Sequence, residues 1–204
     1  ASLNSPGATK IIAKKSRNHT EILYKFLKLP IKVISKKELD LIEINGEKKI
    51  YPFNYNIPSD ISSSAFFIVL TLLSKNSYLV IKDVNINSSR TGCIDILNKM
   101  GANIIFKNKK KYKGEKTADI HIRSRNSFKP INCPTKYNTS AIDEFLIIFL
   151  VAAKAKGISY FKNLEELNQK ESPRLKLGSK ILNMIGIKTK LTNSSITIYG
   201  NPNL

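Results

Sequence analysis

Lys170-Glu171-Ser172-Pro173-Arg174 stands directly ahead of the apolar run LKLGSKILNMIGI. A Ser-Pro pair before such a run marks a helix start, with Ser172 as N-cap and Pro173 as the first helical residue. Arg174 then falls in the first turn. The helix dipole already places positive character there, so a cation is disfavoured unless an anion offsets it. Lys170 and Arg174 beside free backbone N–H groups suit a phosphate or carboxylate. Glu171, between two cations, stays ionised and can transfer a proton once a substrate displaces water. Taken alone, the segment reads more simply as a solvated helix cap with a local ion pair, worth well under about 1 kcal/mol.

Three other segments have similar character. In SAIDEF (140–145), Ser140 and Asp143 have the spacing of a capping box, and Asp143 is also a carboxylate base at the mouth of an apolar helix. In KKSRNHTE (14–21), Ser16 or Asn18 caps a helix, Glu21 lies at capping-box distance from Asn18, and Arg17 is a second cation beside a helix start. His19 reads as a surface or packing residue. In PSDISSSAFF (58–67), Asp60 and Ser62 are caps; no glycine lets the backbone wrap a phosphate and no GK[ST] follows, so this is a structural helix entry.

The elements that must position these residues recur. Residues 61–106 read as helix, strand YLVIKDV, helix and strand ANIIF. Residues 140–200 repeat that order, with strands ISYFKNL, IKTKL and SITIYG. NKMGAN (98–103) and NMIGIK (183–188) occupy matching points, each with Gly closing a helix. A partial copy opens the chain as strand TKIIA, helix RNHTEILYKFLK and strand IKVI. Strand-like segments, KIYPFNYNI (49–57) and ADIHIRS (118–124), run between copies. The unit is β-α-β-α-β-β and the fold class α/β. Arg17, Arg90 and Arg174 each follow a Ser at the helix that ends a unit. In a chain that otherwise prefers Lys, this points to a planar, bidentate donor. Arg90 is read as structural.

The net charge of +19 invites a nucleic-acid reading, but only five of the 34 basic residues are Arg, and the lysines are scattered apart from KNKKKYK (107–113), a hairpin tip. A basic surface that attracts small anions is the better reading. The two cysteines, Cys93 and Cys133, show no metal-ligand spacing and fit a reducing, intracellular setting. The run FLIIFLVAA (145–153) is too short to span a bilayer and reads as a buried helix.

Together these segments resemble the enolpyruvyl transferases, specifically the 5-enolpyruvylshikimate-3-phosphate synthase family in its bacterial class II form. SRNHTE is similar to the family's SRDHTE, and SDISSSAFF…VNINSSRTGCIDILNKMGANI to GDISSAAFF…NPTRTG…LxxMGA. IDEF is similar to IDE[FY]P, and KESPR to KESDR. The departures are Pro173 for an acidic residue, Leu146 for Pro, and Asn168-Gln169 for Arg-Val.

The resemblance implies two domains of three β-α-β-α-β-β units each, with helix N-termini facing the cleft between them. Residues 1–57 would end the N-terminal domain and 58–204 would supply two of the three C-terminal units, making the chain an internal fragment of a protein about twice as long. It also implies transfer of the enolpyruvyl group of phosphoenolpyruvate to the 5-hydroxyl of shikimate 3-phosphate, with release of phosphate, in the shikimate pathway to chorismate and the aromatic amino acids. No metal or organic cofactor takes part. On this resemblance Arg17, Asp143 and Lys170 contact shikimate 3-phosphate. Asp143 is the acid/base at the attacking hydroxyl, Glu171 handles the proton at the methylene carbon, and Arg174 clamps phosphoenolpyruvate. The implied setting is cytoplasmic and the full-length protein a monomer, with neither membrane nor nucleic acid as partner. The family's N-terminal Lys-Ser…Arg cluster, its Ser-Ala-Gln segment and its late arginine lie outside these residues, so the isolated chain is expected to have little or no activity. The rival readings are a UDP-N-acetylglucosamine enolpyruvyl transferase and, outside enzymes, a basic nucleic-acid-binding module.

Overall fold

The computed structural model describes residues 2–46 and 49–204, and in it each repeat closes its own three-stranded antiparallel sheet. The first unit contains β1 (Ala8–Lys14), α1 (His19–Phe26), β2 (Ile31–Ser35) and β3 (Leu39–Asn45). The second contains α2 (Ile61–Leu73), β4 (Tyr78–Asn85), α3 (Gly92–Lys99), β5 (Asn103–Tyr112) and β6 (Glu115–Arg123). The third contains α4 (Phe145–Ala153), β7 (Ile158–Phe161), α5 (Arg174–Met184), β8 (Thr189–Leu191) and β9 (Ile196–Tyr199).

The strand orders are β1-β3-β2, β4-β6-β5 and β7-β9-β8, so the last strand of every unit lies in the middle of its sheet. Register follows the apolar pattern: Ile42 of β3 sits opposite Ile11 and Val33, Ile120 of β6 opposite Ile81 and Phe106, and Ile196 of β9 opposite Phe161 and Leu191. Because both outer strands are antiparallel to the middle one, they run parallel to each other and need the helical crossover between them. The leading strand expected ahead of α2 and α4 is reduced to isolated parallel bridges, Ser59 to Val84 and Asn132 to Tyr160.

The last helix of each unit stops in the same way. In α3, Gly101 N–H bonds Asn98 O and Ala102 N–H bonds Leu97 O; in α5, Gly186 and Ile187 do the same with Asn183 and Leu182. These are Schellman motifs, with the glycines at φ 92° and 84°. In α1, Lys28 takes the glycine position at φ 55° and the same two bonds form, from Lys28 to Lys25 and from Leu29 to Tyr24. The partial first copy is therefore recognisable in its backbone where its residue type hides it.

Expected helix starts differ more. Ser140 and Asp143 form no capping box: residues 139–141 make a 3-10 turn, Ser140 Oγ bonds Tyr137 O, and α4 begins only at Phe145. Pro173, not Ser172, is the N-cap of α5, and it leaves Arg174 as the first helical residue. Asn18 precedes α1 without capping it. Asp60 caps α2 as expected, accepting Ser63 N–H at 2.7 Å. Residues 49–57, expected to be strand-like, pair with no sheet; KNKKKYK runs up β5 into a two-residue turn, Lys113-Gly114, with φ 47° and 91°. Both positive angles match the twist of a tight hairpin.

One apolar cluster joins the second and third units, and Leu3, Leu29, Ile42 and Ile44 form a smaller one in the first. At the centre of the larger, Phe149 and Phe161 lie 5.0 Å apart between ring centroids, and Phe145 sits 6.0 Å from each. Helix α4 is buried as its composition required. Helix α2 is apolar all round, yet Phe66, Phe67 and Leu70 on one face are each 60% exposed or more. Among the described residues, no helix is long and apolar enough to cross a membrane.

Candidate active site

Asp143 lies in the irregular turn before α4, and failing to cap that helix leaves its carboxylate free to face other segments. Arg17, from the loop between β1 and α1, donates Nη2 to Asp143 Oδ2 across 126 residues of sequence. Arg174 donates Nη1 to Oδ1 at 3.2 Å, and Lys170 Nζ lies 3.9 Å from the same oxygen. Arg174 also holds Glu171 Oε2 through Nη2 at 2.8 Å, and Lys170 lies 3.5 Å from Glu166. All five residues expected from the sequence therefore meet in one cluster, drawn from three helix entries, four of the residues from the preceding loops and Arg174 from the first position of α5.

Partial burial pushes the Asp143 carboxyl up, but the Arg17 hydrogen bond and charge, then Lys170 and Arg174, hold it below the ordinary carboxylate range. Glu171 is held low chiefly by its own backbone N–H and then by Arg174. Both acids are thus carboxylates at neutral pH, able to take protons rather than give them. Gly92, the first residue of α3, supports the Asp143 turn from behind. A Cβ there would fall 2.2 Å from Ser140 Oγ and 2.9 Å from the Ser140 carbonyl carbon, so only glycine lets α3 approach.

A second polar group adjoins the first. Arg90 Nη2 donates to Asp60 Oδ1 at 2.7 Å and to Ser62 Oγ at 2.6 Å; the Ser62 hydroxyl in turn donates to Glu144 Oε1. Glu144, next to Asp143, is only 3% exposed. Burial pushes its carboxyl up; the Ser62 bond opposes this, Asp143 adds to the rise, and Arg90 and Arg17 pull it back. Folded protein therefore holds this proton more tightly than the unfolded chain, and stability falls as pH rises from the ordinary value of 4.5 through the raised one. Glu144→Gln is expected to remove that loss and to leave the variant more stable than the parent above the window. Urea unfolding between about pH 4 and about pH 8 checks it; a parent and variant with parallel profiles would refute it.

Sequence reasoning quoted Glu144 within IDEF and Ser62 as a cap, but missed the burial of Glu144, its bond to Ser62 and the Asp60–Arg90 pair. Asp60 and Ser62 stood out only as caps, which Asp60 is, and nothing local says a cap also holds a distant Arg. Two clefts flank the Arg17 loop. One, of about 470 Å³, is lined by His19, Leu23, Tyr55, Asp60, Arg90 and Glu115 among others; the other, of about 370 Å³, is polar and includes Lys15, Ser16, Asn18, Lys136 and Ser140. The ion cluster itself is closed, with Asp143 occupying the cations. Among the described residues, no group of three or more His, Cys, Asp or Glu is gathered for a metal ion. Cys93 and Cys133 are buried free thiols, the latter pushed up to about 11 by burial.

A family model described as EPSP synthase (3-phosphoshikimate 1-carboxyvinyltransferase) matches residues 1–203. The 3-phosphoshikimate 1-carboxyvinyltransferase of Staphylococcus aureus (strain COL) is 38% identical over 188 residues, covering 90% of this chain and 42% of that protein. The protein of that name from Hydrogenovibrio crunogenus is 36% identical over 202 residues, covering 98% and 45%. A solved EPSP synthase structure from Acinetobacter baumannii superposes with a TM-score of 0.87 at 35% identity, over 98% of this chain and 44% of that one. The enolpyruvyl transferase NikO from Streptomyces tendae, at 15% identity and TM-score 0.68, shares the fold. The chain spans less than half the length of each of these proteins. With its repeated units, its clustered SRNHTE, IDEF and KESPR segments and a match along nearly its whole length, the chain belongs to the EPSP synthase family.

Proposed function

We propose that this chain forms part of a 3-phosphoshikimate 1-carboxyvinyltransferase, which moves the enolpyruvyl group of phosphoenolpyruvate to the 5-hydroxyl of shikimate 3-phosphate and releases phosphate. The observation that carries the proposal is Asp143 held by Arg17, Lys170 and Arg174. Three cations around one carboxylate make an anion site that is self-occupied until a stronger anion arrives. In this reading the phosphate of shikimate 3-phosphate takes Arg17 and Lys170, and phosphoenolpyruvate takes Arg174. Asp143 then loses the charges that hold its carboxyl low and becomes a better base at the attacking hydroxyl. Binding thereby switches on the group that performs the first step. Glu171, also released as Arg174 turns to substrate, loses the charge that holds its carboxyl low, and so can give a proton to the methylene carbon as addition turns it into a methyl group and take one back as phosphate leaves.

The domain reading, 1–57 and 58–204, is supported by the two separate apolar clusters and the unpaired stretch 49–57. Arg17 would then face the other residues across an interdomain cleft, and closure would bring them together. We assign the full protein to the cytoplasm as a monomer acting on small anions, without cofactor, nucleic acid or membrane. A UDP-N-acetylglucosamine substrate is not favoured, since the named relatives are 3-phosphoshikimate 1-carboxyvinyltransferases.

Calorimetric titration of shikimate 3-phosphate into the chain tests the reading. Arg17→Ala and Lys170→Ala should each weaken binding by about 10- to 100-fold, the size of one charge-assisted hydrogen bond. Phosphate release by the chain alone should be at or near background. Wild-type affinity in both variants, or tighter binding of UDP-N-acetylglucosamine than of shikimate 3-phosphate, would sink it.

A further inference from the structure

Arg17 sits on a loop with little of its own to hold it. Residues 16–18 have no regular structure, Asn18 does not cap α1, and α1 buries none of its residues. What fixes this loop comes from the second unit, at the tip of the β5–β6 hairpin. Glu115, the first residue of β6, is 5% exposed, a buried carboxylate in a chain of strongly positive charge. Its Oε1 lies 2.5 Å from His19 Nδ1, and its Oε2 accepts from Asn87 Nδ2 at 3.3 Å. The same Asn87 nitrogen donates to Asn18 Oδ1 at 2.8 Å, and Asn87 Oδ1 accepts both Ser89 N–H and Ser89 Oγ at 2.9 Å. Glu115 thus binds His19 directly and, through Asn87, both Asn18 and the loop that leads to Arg90.

The hairpin tip is seated as firmly as the carboxylate. A Cβ on Gly114 would come within 2.8 Å of Ile22 Cγ2 on α1, so the turn packs directly on that helix. The Lys113 ammonium lies 5.7 Å from the Phe26 ring centroid, 5.5 Å from Tyr55 and 5.3 Å from Tyr112. These contacts join α1, the 49–57 stretch and the second sheet. An acid with both oxygens engaged at such a junction costs more to leave unpaired than it returns in stability, which suits a part that fixes geometry.

We infer that Glu115 is a positioning residue: it tethers the His19 side chain directly, and the Asn18 side chain through Asn87, to the second unit and so sets Arg17 over Asp143. The inference rests on the reading of Arg17 as a shikimate 3-phosphate contact for its catalytic consequence, but the tether stands on its own. It predicts that loss of Glu115 releases Arg17 while Arg174 keeps its bond to Asp143, because Arg174 is held from α5 and owes nothing to the hairpin.

Nitrogen-15 NMR of the arginine guanidinium groups in the 204-residue chain reads both bonds separately. In Glu115→Ala the Arg17 signal should move to the position it takes in Asp143→Ala, while the Arg174 signal stays nearer its parent position. Glu115→Gln keeps the volume but offers one acceptor oxygen to two donors, so its Arg17 signal should lie between. Circular dichroism melts of Glu115→Gln should remain close to the parent, which keeps the test open if Glu115→Ala fails to fold. Shikimate 3-phosphate affinity should fall about tenfold in Glu115→Ala and not fall further when Glu115→Ala is added to Arg17→Ala. An Arg17 signal unchanged in both Glu115 variants overturns the tether. A tenfold loss that persists in the Arg17→Ala background overturns the claim that Glu115 acts through Arg17. A freed Arg17 with unaltered affinity supports the tether and counts instead against the role proposed for Arg17.

Discussion

Asp143→Asn is expected to cut turnover by a factor of about 10²–10⁴, the usual contribution of a positioned acid/base. The measurement needs a complete enzyme, which exchange of this chain for the matching segment of the Staphylococcus aureus relative would supply. The amide keeps the size of the side chain and still accepts a hydrogen bond, so ground-state binding should change less than the rate. What disappears is the base. Asp143 is the counter-ion shared by Arg17, Lys170 and Arg174, and an asparagine can neither take the hydroxyl proton nor neutralise those cations. The same change has a signature in the isolated chain. The Asp143 carboxyl is held below its ordinary 3.8, so it contributes stability above that value and loses it as pH falls through the lowered one. Asp143→Asn should flatten that part of the acid-unfolding curve. A rate within twofold of the parent would show that the carboxylate organises the cations without transferring a proton.

Phe149→Ala should destabilise the chain by about 3–5 kcal/mol, as expected for a large buried ring whose site does not collapse. Phe149 is 1% exposed, meets the Phe145 ring at a tilt and the Phe161 ring edge-on, and faces α5 at Gly178, where an added Cβ would lie 3.5 Å from its ring. It therefore joins α4, β7 and α5, two of which begin at the ion cluster. Phe66→Ala is the control: Phe66 is 65% exposed on α2, and its loss should cost about 0.5 kcal/mol or less. Chemical denaturation of both variants checks this, and a loss below about 1 kcal/mol for Phe149→Ala would mean the ring trio is not the centre of the core.

Much of the fold was legible because the chain repeats itself. NKMGAN and NMIGIK announced two helix ends, and both proved to be the same Schellman motif. The third end was hidden because Lys28 adopts the left-handed conformation that usually marks glycine. Helix starts were read less well. Caps are local contests between a side chain and its own backbone, and at Asn18 and Asp143 a distant partner wins: Asn87 takes the first and the cations take the second. That is also why Asp143, Lys170, Glu171, Arg174 and Arg17 could be named from motifs while their mutual contacts could not. Glu115 gave no signal, and Glu144 showed only as the acid beside Asp143 in the IDEF segment, with no role assigned to it. Each is an ordinary acid in sequence and becomes significant only through burial, which depends on packing between units.

The middle position of every last strand bears on how the protein is made. A ribosome releases β1 and β2, β4 and β5, or β7 and β8 before the strand that joins them. Until it arrives, the two outer strands have no partner and must stand about 10 Å apart, two strand spacings, with their inner edges bare. In the third unit the joining strand is Ile196–Tyr199, so the hydrogen bonds of residues 158–161 and 189–191 wait until it has been translated. Removing Ile196–Tyr199 would take away a sheet's centre, with Ile196 and Ile198 from the core, where most sheets would lose only an edge.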